Sequence, residues 1–367
     1  CADGAAGAAG IGSWCRAGVA RLVRVSFASS IGTIPRHNHE GDITVMKSHP
    51  LLKVEEQIEH MRNNGVQFEI MHADEAADYL RRNNNYYRLR SYRHGFERVS
   101  DGPSKGRYVN LDFAMLVDLA TIDMHLRYQI MPLSLEIEHF FKMRLLNSIE
   151  DHNEDGYGIV RDFLSSCERT DERGRPINIV YDEINRGKDG PYTNGIIRHY
   201  GGTGYPIWAF LELIPFGRFN QLWRFCAGRY DDKDMRDDYY LLQSAKGIRN
   251  ACGHNNCILN DMAAGIPRYQ AQNAVRRAVR AAGVSRQTAK SKLSNDRLIQ
   301  LTTALYLHHR VASSEIHCLR ACEMNQLAER IMRHSEYYKK CDQIRTGLTY
   351  VIQLIKAWYP KEVQAVL

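Results

Sequence analysis

A chain of 367 residues with 44% hydrophobic and 25% charged residues has the make-up of a globular protein and room for one large or two modest domains. No apolar run approaches bilayer length, which excludes a transmembrane helix. Nine scattered cysteines, an odd number without a framework of pairs, fit free thiols in a reducing cytoplasm.

The first 45 residues differ from the rest. Cys1 to Gly12 is rich in Ala and Gly, and the following stretch has no sustained period. Arginines break Val19 to Ala28, so it is no signal peptide. Met46 stands just before the first helical pattern and reads as the natural start. Residues 1–45 are then an extension, expected to be disordered or without function.

From Leu51 the pattern is helix after helix. Leu52 to Met61 repeats at helical spacing and stops at Asn63-Asn64-Gly65, and His72-Ala73-Asp74 opens a second helix. Asn83-Asn84-Asn85 precedes the cluster Tyr86-Tyr87-Arg88-Leu89-Arg90-Ser91-Tyr92. Such residues can stack on bases, but they more often pack a helix junction, with arginine stems over tyrosine rings. Asp112 to Met131 is strongly apolar-periodic, Pro132 is expected to kink or end it, and Leu133 to Ile149 continues the pattern. Glu136 and Glu138 sit among apolar neighbours there. An embedded acid needs a partner, for which a guanidinium is the natural choice; Glu138 is favoured for pairing and Glu136 for exposure.

Gly156-Tyr157-Gly158 starts a short helix to Cys167. Glu168 to Gly204 reads as a long surface loop, with a strand-like stretch at Ile177 to Tyr181. Helix resumes from Pro206 to Phe225. Asp237-Asp238 then leads Tyr239 to Ala251. Beyond it, Ile266 to Ala282 reads as a basic helix, Ser294-Asn295-Asp296 caps Arg297 to Val311, and two more helices run near Glu315 to Tyr338 and Cys341 to Tyr359. The expected class is all-α.

The net charge of +7 is unevenly spread: from Arg268 to Arg297 eight basic residues, among them Arg276, Arg277, Arg280, Lys290 and Lys292, stand against Asp296 alone. This stripe suggests a polyanion, and RNA contact is expected at these five. A solvated helix face accounts for it equally well.

The most informative stretch is Gly247 to Asn256, which puts Arg249, Asn250 and His254 at the end of an apolar-periodic segment. These are the minimum groups for cutting RNA without a metal. A histidine moves protons at neutral pH, an arginine holds charge on a phosphate under attack, and an asparagine orients either. The pattern Arg-x(4–6)-His also occurs at Arg88 to His94 and Arg310 to His317, but only Arg249 is followed directly by a polar residue. Positions five apart on a straight helix lie about 140° from each other. Arg249 and His254 therefore share a face only if Cys252-Gly253 bends the backbone, which Gly253 makes cheap. Zinc at His317, Cys318 and Cys322, or at Cys252, His254 and Cys257, lacks a complete ligand set. No metal or cofactor is expected.

Five motifs carry a resemblance. From Leu51 to about Asp261 the chain resembles the abortive-infection bacteriophage-resistance (Abi) family of the HEPN superfamily. Glu56-Gln57-Ile58-Glu59 with Asn64-Gly65 resembles its opening helix, and Asn85-Tyr86-Tyr87-Arg88-Leu89 with Tyr92 and Phe96 resembles its NYYRL signature. Ile137-Glu138-His139 with Lys142, Pro206-Ile207-Trp208 with Glu212 and Phe216-Gly217, and Arg249-Asn250-x-Cys252-x-His254 resemble three further segments, the last with Gly253 in place of alanine.

The resemblance implies a HEPN-type helical bundle at residues 46–262, with additional N- and C-terminal helices and a basic helical region at 263–367. It also implies a metal-independent endoribonuclease at a composite site between two copies, hence a homodimer. Arg249, Asn250 and His254 would be catalytic, with Glu138 and Asn255 in support and Glu138 holding the Arg249 rotamer. An antitoxin protein or a regulatory RNA would restrain such a toxin. The alternative is a non-catalytic HEPN module that binds RNA or a partner. Two departures stand out. Asn256 occupies the place where some HEPN toxins carry a modifiable tyrosine, and the chain beyond Gly265 matches the family's motifs poorly.

Overall fold

The computed structural model describes residues 51–201 and 204–361. Among these the chain is all-α, with fifteen α-helices and two small two-stranded sheets. The proposed extension at residues 1–45 lies outside the described residues.

Helix α1 (Val54–Asn63) stops where Asn64-Gly65 predicts. Gly65 takes φ of +87°, and a Cβ there would come within 2.7 Å of the Tyr108 carbonyl oxygen, so only glycine fits. Strand β1 (Val66–Gln67) follows, then α2 (Ala73–Arg82), whose first turn is closed by the Glu75 carboxylate accepting from the His72 N–H at 3.0 Å. Helix α3 (Tyr86–Leu89) is capped by Asn85, whose side-chain oxygen accepts from the Arg88 N–H at 2.8 Å, and a 3₁₀ turn, Arg90–Gly95, continues it. Strand β2 (Leu111–Asp112) pairs in parallel with β1.

The axis of the fold is α4 (Phe113–Asp151), a single helix of 39 residues. Asp112 starts it by accepting from the Ala114 N–H at 2.9 Å. Pro132 does not end it. An interior proline costs about 3 kcal/mol, whereas Leu126, Ile130, Leu133 and Ile137 around it are each fully buried. At about 1.5–3 kcal/mol per side chain, packing outweighs the lost hydrogen bond.

Helix α5 (Gly158–Ser166) is followed by the first clear departure from the sequence reading. The expected loop holds an antiparallel hairpin of β3 (Glu168–Thr170) and β4 (Pro176–Asn178), then α6 (Ile179–Arg186) and α7 (Asn194–Tyr200). These helices are too short to show a period. Asn178 caps α6, accepting from Val180 N–H at 3.1 Å, while Val180, Ile184 and Ile197 are buried. Ile177 is in a strand, but Ile179 to Tyr181 is helical. Prolines at the N-caps start α8 (Ile207–Leu213) and α9 (Phe216–Arg229). Helix α10 (Lys233–Gly253) begins earlier than Asp237-Asp238 suggests, because Asp232 caps it by accepting from Met235 N–H at 2.9 Å.

The basic helix is shorter than expected. Residues 266–272 are not helical, and α11 (Asn273–Ala281) and α12 (Arg286–Lys292) follow as separate pieces. Of Ser294-Asn295-Asp296, it is Asn295 that caps α13 (Asp296–Val311), accepting from the Arg297 and Leu298 amides at 3.0 and 3.1 Å. Helices α14 (Ser314–Met332) and α15 (Asp342–Trp358) complete the chain. Helix α13 packs on α4 and α10, and from Leu52 onward the chain forms one compact unit.

The embedded acids are also reassigned. Glu136 takes the guanidinium, accepting from Arg320 Nη2 at 2.7 Å and pairing with His308 Nε2 at 2.9 Å, so α4 is tied to α13 and α14. Two residues turn a helix by about 200°, which leaves Glu138 on another face, where it meets Lys142 of its own helix at 3.3 Å. Among the described residues no helix is long and apolar enough to cross a membrane.

Candidate functional site

Helix α10 ends in a Schellman motif whose left-handed residue lies two positions past Gly253. Asn255 takes the left-handed conformation (φ 55°). Its N–H donates to the Cys252 carbonyl at 2.9 Å, and that of Asn256 donates to the Ala251 carbonyl at 2.8 Å. Asparagine reaches this conformation more readily than most side chains. The expected bend at Gly253 is therefore absent: Gly253 is helical and the chain turns at Asn255.

This ending separates the residues expected to act together. His254 is exposed and lines a groove of about 840 Å³; Arg249 does not line it. Arg249 is half-buried with its Nε enclosed and unpartnered, and its Nη1 lies 3.4 Å from the exposed Asn250 Oδ1. Glu138 does not hold Arg249, being paired with Lys142. The straight-helix angle of about 140° prevails.

The groove brings His254 together with Arg88, Arg90, Arg93 and His94 from the α3 segment and with Arg297 from α13. No carboxylate lines it, so it attracts anions. Arg88 Nη2 donates to Asn255 Oδ1 at 3.1 Å, joining the two walls directly. Tyr87 is 78% exposed, and Arg90 lies 5.6 Å from its ring centroid. The Tyr/Arg cluster packs as expected at Tyr92, which lies in the core, whereas Tyr87 faces solvent.

Asp123 fixes both walls from beneath. It is fully buried in α4, and its Oδ1 accepts from the Ile258 and Leu259 amides at 2.8 and 2.7 Å. Its Oδ2 accepts from the Tyr92 hydroxyl at 2.9 Å and pairs with Arg127. Arg127 Nη1 in turn reaches the Asn256 carbonyl at 3.4 Å. A buried carboxylate is tolerable when its acceptor sites are filled this way. Neither Asp123 nor Arg127 is marked in the sequence, since both read as ordinary polar positions of a long helix. Arg88 and His94 did carry a signal: they match the Arg-x(4–6)-His pattern, and Arg88 lies in the NYYRL motif.

Burial pushes the Cys252 thiol up to about 11, so it is protonated and part of the core. Among the described residues no group of three or more His, Cys, Asp or Glu side chains is placed to hold a metal ion. His317 Nε2 meets His309 Nδ1 instead, at 3.1 Å.

The basic stripe divides. Lys292 is buried, with Nζ donating to Thr346 Oγ1 at 2.7 Å, so it offers no charge to RNA. Arg277 faces a second pocket, shared with Asp234, Asp237 and Asp238, whereas Arg276, Arg280 and Lys290 line a third. None of them lines the His254 groove; Arg297 alone of the stripe does.

The Abi-like protein family matches residues 78–260, a segment that contains α3, α4, the Asp123 anchor and the end of α10. No curated protein and no solved structure matches the chain. The match takes in two walls of the groove, while Arg297 and Gln300 come from beyond it. Over this segment the chain is similar to the Abi-like protein family.

Proposed function

We propose that this Abi-like protein acts in abortive infection of phage-infected cells as a metal-independent endoribonuclease of the HEPN type. The observation that carries the reading is the acid-free groove in which His254 meets Arg88, His94 and Arg297.

The reaction suited to these groups is transesterification. The ribose 2′-oxygen attacks the adjacent phosphorus and the bond to the 5′-oxygen breaks, leaving a 2′,3′-cyclic phosphate and a 5′-hydroxyl. One imidazole takes the 2′-hydroxyl proton and a second delivers a proton to the departing oxygen. The arginines meet the charge on the crowded phosphate.

His254 is one imidazole. In a homodimer the second subunit's His254 is the other, and Arg249, on its own side of α10, would face the composite site. A single-chain arrangement uses His94, and its place in the same groove favours that version. An antitoxin protein or a regulatory RNA is the expected restraint on such an activity.

The test is inducible expression with an RNA gel in EDTA, comparing wild type with His254→Ala, Arg88→Ala and Arg249→Ala. Wild type should arrest growth and cut RNA, and folded His254→Ala should do neither. Loss in Arg88→Ala but not Arg249→Ala selects the groove; the reverse selects the dimer site. RNA binding that leaves RNA intact, alike in wild type and His254→Ala, makes the protein a binding module. Cleavage abolished by EDTA contradicts the mechanism.

A further inference from the structure

The third pocket encloses about 620 Å³ between residues 265–270 and the pair α11 and α12. Arg276 and Arg280 come from α11, and Arg286 and Lys290 from α12. Each pair is spaced i,i+4 and so shares one helix face. Like charges at that spacing repel, and here two such pairs converge on one cavity with no carboxylate in its lining. Among the described residues none of the four is paired with an acid. Arg276 donates to Gln270 Oε1 and Arg280 Nη1 to the Val284 carbonyl, neutral acceptors that hold the guanidinia without cancelling their charge. Ile266, Pro267 and Leu293 add apolar surface to the same pocket, and Ile266 is 98% exposed.

The size lies within the range of small-ligand sites. Four converging cations ask for a compact ligand with several negative charges, and the apolar side asks for a flat, weakly polar group on the same molecule. We propose that this pocket binds a nucleoside triphosphate, with the phosphates on Arg276, Arg280, Arg286 and Lys290 and the base over Ile266, Pro267 and Leu293.

The pocket adjoins the His254 groove through a short chain of contacts. Gly265 and Ser294 line it, and the Gly265 N–H donates to Ser294 Oγ at 3.2 Å. The next residue, Asn295, donates through Nδ2 to the carbonyls of Asp261 and Ala263 at 3.0 and 2.9 Å and caps the helix that carries Arg297. The ligand is thus an effector beside the groove rather than its substrate. Binding itself does not depend on whether the groove cuts RNA.

Calorimetric titration of the full chain with ATP, GTP, AMP and inorganic tripolyphosphate tests this. ATP or GTP should bind one per chain, at least about tenfold tighter than AMP or tripolyphosphate. Arg280→Ala with Lys290→Ala should weaken that binding by at least about tenfold, Arg280→Lys with Lys290→Arg should restore most of it, and Arg277→Ala should leave it unchanged. Thermal melting checks that each variant is folded. The proposal is overturned if neither triphosphate binds, if tripolyphosphate binds as tightly as ATP, if the double alanine variant binds normally, or if a short single-stranded RNA displaces the nucleotide. Loss of nuclease activity in His254→Ala with nucleotide binding intact would keep the two readings apart.

Discussion

Asp123 is where residue chemistry governs the site most directly. One buried carboxylate serves Tyr92, Arg127 and the amides of Ile258 and Leu259, so the α3 segment and the chain after His254 are registered against the same atom pair. Removing it leaves the Arg127 guanidinium buried without its counter-charge and two amides without acceptors. Asp123→Ala should therefore lose about 3–5 kcal/mol of stability, measured by urea unfolding, and groove activity should fall with it. A change under about 1 kcal/mol would show that the anchor is dispensable. The place of His254 at the end of a helix could be read from the sequence, but not the groove it lines. Arg249 is the obvious arginine by spacing, but the left-handed residue is Asn255 rather than Gly253, so the helix stays straight and Arg249 stays out of the groove, while Arg88, far away in sequence, lines it and donates to Asn255.

Elements were legible where they are long and periodic, and less so where they are short. Helix α4 could be read from its apolar spacing on both sides of Pro132, but not its continuity, which rests on tertiary burial. The hairpin and short helices at 168–200 lack enough residues to show a period. Glu136 shows why an embedded acid cannot be assigned from its own helix: its partners, His308 and Arg320, lie on α13 and α14.

Burial raises the pKa of the Glu136 carboxyl, but hydrogen bonds from His308 and Arg320 and the Arg320 charge outweigh this and hold it below its ordinary value. A carboxyl depressed in the folded state stabilises the protein above its unfolded pKa of about 4.3, and that stability is lost as pH falls through the folded value. Wild type should thus lose more stability than Glu136→Gln between pH 7 and pH 3 in urea unfolding. At pH 7 the variant should be less stable by about 3 kcal/mol. Equal acid sensitivity of the two proteins would contradict this account of how α4 is tied to α13 and α14.

At the scale of the whole molecule, the family match ends before the fold does. Residues 78–260 supply two walls of the groove and Asp123, whereas α13 adds Arg297 and Gln300 and lies against α10. Gln300 packs so closely on Gly247 that a Cβ there would lie 3.0 Å from it, so the C-terminal helices help to form the site. The charge balance read from composition was sound in amount but not in place. Folding scatters the basic stripe over three pockets and buries Lys292, while the arginines of residues 88–93 gather beside His254.

The central claim is that the His254 groove cuts RNA through the ribose 2′-hydroxyl. The most direct measurement is the cleavage of a defined oligoribonucleotide in EDTA, with the product ends identified by mass, beside the same strand carrying one 2′-deoxyribose at the cut site. The account predicts a 2′,3′-cyclic phosphate and a 5′-hydroxyl, no cut at the deoxy position, and no products with folded His254→Ala. Cleavage at the deoxy position, a 5′-phosphate product, or full activity in His254→Ala would contradict it.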